Sequence, residues 1–117
     1  MKSRVDSFIP LKANWLHILV ALSDGDQHGY GVMQDVLERT GGKVRLWPAS
    51  LYGTLKKLID EDLIEESPNR PRVDDDPRRK YYRMTDLGRR VLAAESQRLR
   101  ELVRFLDGTN PKAAGAL

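Results

Sequence analysis

Hydrophobic residues recur every three to four positions in several stretches of the chain, a spacing that places side chains on one face of an α-helix. The first stretch extends from Leu11 to Leu22 and also carries apolar residues outside a single stripe, so this helix needs cover on several sides. The second extends from Gly29 to Thr40 and ends at paired glycines, which accept the backbone conformation found after a helix C-terminus. Pro48 suits the first turn of a third helix, which we expect to end near Asp62.

Alternating apolar and polar residues predict short β-strands between these helices. We expect one strand at Val44 to Leu46 and two more at Leu63 to Glu66 and at Lys80 to Met84. Thr85 can cap a last helix that extends to about Asp107. This order of elements predicts a mainly α-helical fold with a small β-hairpin wing, namely a winged helix-turn-helix followed by a long C-terminal helix.

The chain of 117 residues has room for one compact domain with extensions. We expect an N-terminal arm at residues 1–10, a winged helix-turn-helix DNA-binding domain at 11–84 and a C-terminal helix for dimerisation at 85–107. Residues 108–117 are small and featureless, and we expect a disordered tail there.

The third predicted helix has one apolar face and an opposite face that suits nucleic acid. Leucines recur at core spacing, whereas the opposite side begins with small residues and then presents two lysines. In a winged helix-turn-helix this helix enters the major groove, where small residues permit close approach. The alternative is an ordinary amphipathic helix whose lysines serve solubility. We predict DNA contacts from Ser50, Tyr52, Gly53, Lys56 and Lys57.

Basic residues are concentrated in the second half of the chain, although the formal net charge is only +3. Between Pro77 and Arg104 there are nine basic and three acidic residues, which suggests a polyanionic partner, with a merely solvated face as the alternative. Asp74 to Asp76 would be repelled by DNA, and we expect them to turn away and pair with neighbouring arginines. The predicted phosphate contacts of the wing are Arg70, Arg72, Arg78, Arg79 and Lys80.

Several functional classes are disfavoured by what the sequence lacks. It has no cysteine and only two histidines, so we expect no metal site. It has no glycine-rich phosphate loop and no nucleophile elbow, and we expect neither an enzyme nor a bound cofactor. No apolar stretch approaches the length of a membrane span. The first residues, MKSRVDSF, lack the apolar segment of a secretion signal, so we expect a cytoplasmic protein.

Four short motifs, in their order and spacing, resemble the PadR family of bacterial transcriptional regulators. They are His28 to Gly31, Pro48 to Tyr52, Gly53 to Leu58, and Arg79 to Thr85 followed by Gly88. The family more often has P-G-T-L-Y where this chain has P-A-S-L-Y, and both replacements are small enough for close approach to DNA. The resemblance covers roughly residues 11–106 and implies a homodimeric repressor whose operator affinity falls when a ligand or another signal arrives.

The C-terminal helix carries an apolar pattern that predicts dimerisation. Leucines recur every seven residues, as in a helix that packs against a partner helix, and the alternative is packing on the helix's own domain. The resemblance to compact PadR members implies that the first helix contributes to the dimer. It also makes Trp15 a candidate contact for a small apolar or aromatic effector, with core packing as its alternative. The predicted interface residues are Leu11, Trp15, Leu92, Leu99, Leu102, Val103 and Leu106.

Two functional hypotheses from different classes remain open at this point. The first is a regulator that binds double-stranded operator DNA as a homodimer, at an inverted repeat with half-site centres about 10 base pairs apart. The second is a winged-helix module that binds another protein and binds DNA weakly or not at all. The aspartates at positions 74 to 76 and the modest net charge favour the second hypothesis.

Overall fold

The computed structural model describes residues 3–69 and 76–109. These residues form a mainly helical fold with a small antiparallel sheet, as the sequence predicted. After a single 3₁₀ turn at Asp6–Phe8, the elements are α1 (Ala13–Leu22), β1 (Gln27–His28), α2 (Gly29–Arg39), α3 (Pro48–Asp60), β2 (Ile64–Ser67), β3 (Tyr81–Met84) and α4 (Asp86–Thr109).

The sheet has three antiparallel strands in the order β1-β3-β2. Strands β2 and β3 form the predicted hairpin, with Ile64 opposite Met84. The strand predicted at Val44 to Leu46 is wrong, because these residues have no regular structure and the third strand is Gln27–His28. The backbone N–H of Val44 donates a hydrogen bond to Thr40 Oγ1 at 3.0 Å, and the side chain of Leu46 is buried in the core. The alternation there reflects local burial and not strand pairing.

Helices α1, α2 and α3 pack with the sheet and the first turns of α4 around one core. α1 contributes buried side chains from several of its sides, as its apolar pattern predicted. No helix of the described ranges is long and apolar enough to cross a membrane. The large apolar side chains that are almost completely buried in the core are Ile18, Leu19, Val32, Val36, Leu51, Leu55, Leu58, Leu63, Ile64 and Val91.

Side-chain caps fix where α2 and α4 begin. Nδ1 of His28 accepts the N–H of Gly31 at 3.0 Å, and Oγ1 of Thr85 accepts the N–H of Gly88 at 3.0 Å, which confirms the cap predicted at Thr85. A Cβ atom at position 88 would overlap the carbonyl oxygen of Leu63. Only glycine therefore lets α4 approach the chain just before β2 this closely.

The residues before α1 fold against α4 through a buried carboxylate. Glu95 is only 1% exposed; its carboxylate accepts the backbone N–H of Leu11 at 3.2 Å and two bonds from Arg98 at 2.7 and 3.0 Å. The Leu11 side chain is 8% exposed and belongs to the core of its own chain, which leaves it little surface for the dimer interface predicted there. α4 ends at Thr109, slightly beyond the predicted Asp107. The tail expected from residue 108 falls mostly on residues 110–117, which lie outside the described residues.

Candidate DNA-binding surface

The outward face of α3 presents the side chains that the sequence predicted for it. Leu51, Leu55 and Leu58 are buried, so the helix orientation is fixed by the core. Within residues 3–69 and 76–109, Lys56 forms an exposed i,i+4 ion pair with Asp60, with Nζ to Oδ2 at 3.4 Å, which contributes little to stability. Five residues form this face, namely Ser50, Tyr52, Gly53, Lys56 and Lys57, and all five are exposed.

Two glycines, Gly53 on α3 and Gly29 at the start of α2, differ in what a Cβ atom would meet at their positions. A Cβ atom at Gly53 would meet no described atom within 4 Å, so packing does not explain the glycine. A Cβ atom at Gly29 would lie 2.6 Å from the hydroxyl oxygen of Tyr52. Tyr52 therefore lies directly over the first residue of α2, and this contact joins the N-terminal ends of α2 and α3 on one surface.

The wing brings basic residues to the same surface. A cavity of about 390 Å³ separates the start of α2 from the base of the hairpin, and Tyr52 of α3 forms part of its wall. The sequence had predicted these groups separately, and the fold places them side by side. The lining residues are His28, Gly29, Tyr30, Tyr52, Asp76, Arg78, Arg79, Lys80 and Tyr82.

Of the three aspartates expected to pair with neighbouring arginines, the described one, Asp76, does so. Asp76 accepts bonds from Nε and Nη2 of Arg78, both at 3.2 Å, and from its backbone N–H at 2.9 Å. Nη1 of Arg79 lies 3.2 Å from Nε2 of His28. Both arginines are exposed, so each guanidinium has surface available for a phosphate. The predicted wing contacts Arg70 and Arg72, together with Asp74 and Asp75, lie outside the described residues.

Polar residues that the sequence analysis missed hold the hairpin in place. Asp26 accepts hydrogen bonds from Ser67 Oγ and, at 3.2 Å, from Asn69 Nδ2. The backbone N–H of Asn69 donates to Ser67 Oγ at 3.0 Å, and Arg83 pairs with Glu65 across the strands at 2.9 Å. No sequence pattern indicates this role of Asp26, because its hydrogen-bond partners come near it only when β1 pairs with the hairpin.

A second surface, along α4, exposes large apolar side chains. Leu102, Val103, Phe105 and Leu106 are between 45% and 69% exposed. An open groove of about 950 Å³ lies between α1 and this helix. Three of these four residues are among the predicted interface residues, and Phe105 is not. The apolar residues that line the groove are Leu16, Val20, Leu92, Leu99 and Val103.

Trp15 lies away from this groove. Its half-buried ring lies 5.2 Å from Nζ of Lys12 and lines two smaller cavities, one with Phe8 and one with Lys57. α1 presents Leu16 and Val20 to the groove instead, because successive residues of a helix point about 100° apart. The structure thus places the predicted interface and effector residue between the N-terminal segment and α3.

Comparison with known proteins assigns this architecture to a family. The model of a family described as Transcriptional regulator PadR-like family matches residues 18–94. An uncharacterized protein of Lysinibacillus sphaericus is 30% identical over 90 residues, which are 77% of this chain and 81% of that protein.

Two solved structures are similar to this chain, and one of them contains operator DNA. A PadR family transcription regulator from Clostridium difficile is 26% identical, with a TM-score of 0.68 over 81% of this chain and 95% of that one. Bacillus subtilis PadR in complex with operator DNA is 27% identical, with a TM-score of 0.59 over 73% of this chain and 47% of that one.

Proposed function

This chain belongs to the PadR-like family of transcriptional regulators, and we propose that it represses transcription as a homodimer that binds an inverted-repeat operator. The observation that carries the proposal is the continuity of the α3 face with the wing cations through Tyr52. The family consists of transcriptional regulators and not of enzymes, which is consistent with a protein whose chemistry is recognition.

The two parts of this surface serve different purposes on DNA. Helix α3 enters the major groove, and its exposed side chains, Lys56 and Lys57 among them, reach base edges that carry sequence information. Arg78, Arg79 and Lys80 of the wing bind phosphates, which position the protein without specifying sequence. The likeness to Bacillus subtilis PadR, which is bound to operator DNA, supports this docking.

The apolar surface of α4 supports the homodimer. Four large apolar side chains exposed within five consecutive positions, Leu102 to Leu106, form the kind of patch that soluble monomers rarely expose. A second copy of α4 would cover them and close the groove beside α1. We therefore assign residues 85–107 to dimerisation, with Leu92, Leu99, Leu102, Val103 and Leu106 at the seam.

The same groove supports a response to a small apolar or aromatic effector. Five of its lining residues are aliphatic, and the others are polar or charged, among them Arg39, Arg100, Arg104 and Asp107. The aliphatic part would bury an apolar molecule. An effector that binds better to one arrangement of the two subunits shifts the population toward it. A panel of planar aromatic compounds, added to a preformed protein–DNA complex, should contain at least one that lowers DNA affinity.

Two variants and a control test the DNA-binding proposal in a fluorescence-anisotropy titration. The labelled duplexes are one selected by the wild-type protein from a random pool and one of unselected sequence. Lys80→Ala should weaken binding to both duplexes equally and reduce the log-log salt slope by about 0.9 for each phosphate that the variant no longer binds. If Lys57 contacts a base, Lys57→Ala should weaken binding to the selected duplex by about 1–3 kcal/mol. It should then also reduce the difference in affinity between the two duplexes.

Arg90→Ala is the matched control, because it removes the same charge from the exposed side of α4. It should change neither the affinity for DNA nor the salt slope. If Lys57→Ala lowers the affinity for both duplexes equally, α3 contacts phosphates and not base edges. A wild-type dimer that binds neither duplex at low salt would instead favour the protein-interaction module, for which Asp76 in the wing is the best structural argument.

A further inference from the structure

Exposed aromatic side chains surround the N-terminal end of α3. Apart from the apolar end of α4, the large hydrophobic side chains that the described residues expose are Tyr30, Trp47 and Tyr52, at 56%, 64% and 50%. Tyr52 belongs to the surface already assigned to DNA. Tyr30 lies on the first turn of α2 and Trp47 immediately precedes α3. These two residues need a separate explanation.

Trp47 occupies a position where the fold alone would favour another residue. It is the N-cap of α3 and makes no side-chain hydrogen bond to the helix, although this position strongly favours serine, threonine, aspartate or asparagine. Its ring is mostly exposed, so it adds little to the core. An indole that neither caps the helix nor fills the core is best explained by contact with something outside the chain.

The surroundings of Trp47 are positively charged and aromatic. Its ring centroid lies 5.4 Å from Cζ of Arg45, which holds the guanidinium beside the ring. Gln34 Nε2 donates to the hydroxyl of Tyr30 at 2.9 Å. The residues that line this cavity of about 190 Å³ include one cation and no carboxylate; they are Tyr30, Met33, Gln34, Leu37, Arg45, Leu46, Trp47 and Pro48.

This surface is continuous with the wing, because Tyr30 also lines the cavity that contains Arg78 to Lys80. In helix-turn-helix proteins the N-terminal residues of the recognition helix contact base edges, while the preceding helix crosses the backbone. In this docking, residues just before α3 lie between the base edges that α3 reads and the backbone that the preceding helix crosses. The cavity beside Trp47, whose lining includes one cation and no carboxylate, is complementary to that backbone.

We propose that Trp47 and Arg45 form a further DNA contact, in which the indole packs on a deoxyribose and the guanidinium binds the adjacent phosphate. The inference rests on the proposed function and extends its interface from α3 and the wing to the segment that connects α2 to α3. The exposed Trp47 at the start of α3 thereby has a role in contact with DNA.

The first experiment uses Trp15→Phe, which leaves Trp47 as the only tryptophan of the chain. Acrylamide should quench its emission strongly in the free protein, and much less after addition of a mixed-sequence duplex of about 30 base pairs, three helical turns. Anisotropy of the labelled duplex, measured on the same sample, reports binding independently. A duplex that binds while Trp47 stays as accessible as before would overturn this inference and leave the proposed function intact.

The second experiment separates the contact from the fold. Trp47→Ser supplies a capping hydroxyl, so the melting temperature should rise or stay unchanged, while DNA affinity falls about five- to tenfold. Trp47→Phe should retain most of the affinity. Arg45→Ala should lower the salt slope by about 0.9 per protomer, and Arg90→Ala should not.

Unchanged affinity in both Trp47→Ser and Arg45→Ala would contradict the contact. If wild-type protein does not bind the duplex at low salt, the proposed function itself fails and this inference fails with it.

Discussion

Gly53 lowers the stability of a helix that could hold alanine at the same position. Glycine in a helix interior costs about 0.5–1 kcal/mol relative to alanine, and a Cβ atom here would touch nothing described. Gly53→Ala should therefore raise the free energy of unfolding by about that amount and weaken DNA binding, because the added methyl group would face the groove. Chemical denaturation and DNA titration of one preparation measure the two effects.

Gly108→Ala is the matched control for Gly53→Ala, since it also adds a methyl group to an open helical position. It should leave DNA affinity unchanged. A Gly53→Ala protein that is more stable and binds DNA as tightly as wild type would disprove the close approach of α3 to the groove.

Glu95 links the segment before α1 to α4 through an ionised carboxylate. Hydrogen bonds from Arg98 lower the pKa of Glu95 below its ordinary value near 4.5, and the N–H of Leu11 acts in the same direction. A lowered pKa means that the stabilisation is present above the ordinary value and is lost as the pH falls through the lowered one. Glu95→Gln removes the charge and should cost about 1–3 kcal/mol at pH 7.

The pH dependence of stability distinguishes this effect from a packing defect. The difference in unfolding free energy between wild type and Glu95→Gln, at fixed protein concentration, should shrink as the pH falls below about 4.5. A difference that stays constant down to the lowest pH at which both proteins fold would assign the loss to geometry. Gln97→Glu, on the exposed side of the same helix, is the control for a nearby change in charge.

Helix α4 has two parts with different surroundings. Its first turns pack on the core through Leu87 and Val91, whereas residues 101–108 are exposed throughout. The exposed part has the composition of a helix that packs against a partner. A second copy of the chain is therefore needed to bury this exposed part of α4, because its own domain does not cover it.

Leu102→Asp tests this assignment. In a dimer the new carboxylate would be buried without a partner, at a cost of several kcal/mol, so light scattering at micromolar concentration should detect monomer or, if the dimer is obligate, unfolded chain. Gln97→Asp places the same carboxylate on the exposed side of α4 and should stay dimeric. A Leu102→Asp protein with the mass of a dimer would refute the seam.

A two-fold dimer of the whole molecule predicts the symmetry of its DNA site. Two α3 helices related by a two-fold axis should read an inverted repeat with half-site centres about 10 base pairs apart. In a selected duplex, insertion of about half a turn, roughly 5 base pairs, between the half-sites should abolish specific binding, and insertion of a full turn should be tolerated better. Equal affinity for all spacings would point to monomeric or nonspecific binding.

Much of this molecule follows from local sequence. Periodic leucines set the buried face of α3 and therefore also its exposed face, because a helix has only one orientation that buries Leu51, Leu55 and Leu58. Pro48 and Thr85 fixed helix starts through backbone chemistry that needs no distant partner. The motifs around His28 and Tyr81 indicated the family, which the comparison of residues 18–94 confirmed.

Contacts between residues distant in sequence were decided only by the tertiary structure. The third strand is Gln27–His28 because β3 offers its free edge there, whereas Val44 to Leu46 have the right pattern but no neighbouring edge. Leu11 is buried in a core built from residues far along the chain, and its N–H donates to Glu95. Trp15 lines cavities beside the N-terminal segment and α3, whereas α1 presents other residues to α4. The sequence by itself determined the helices, the hairpin and the chemistry of the α3 face, since these depend on residues a few positions apart. Strand order, the partners of buried polar groups and the side of α1 that meets α4 depend on long-range packing, which periodicity does not encode.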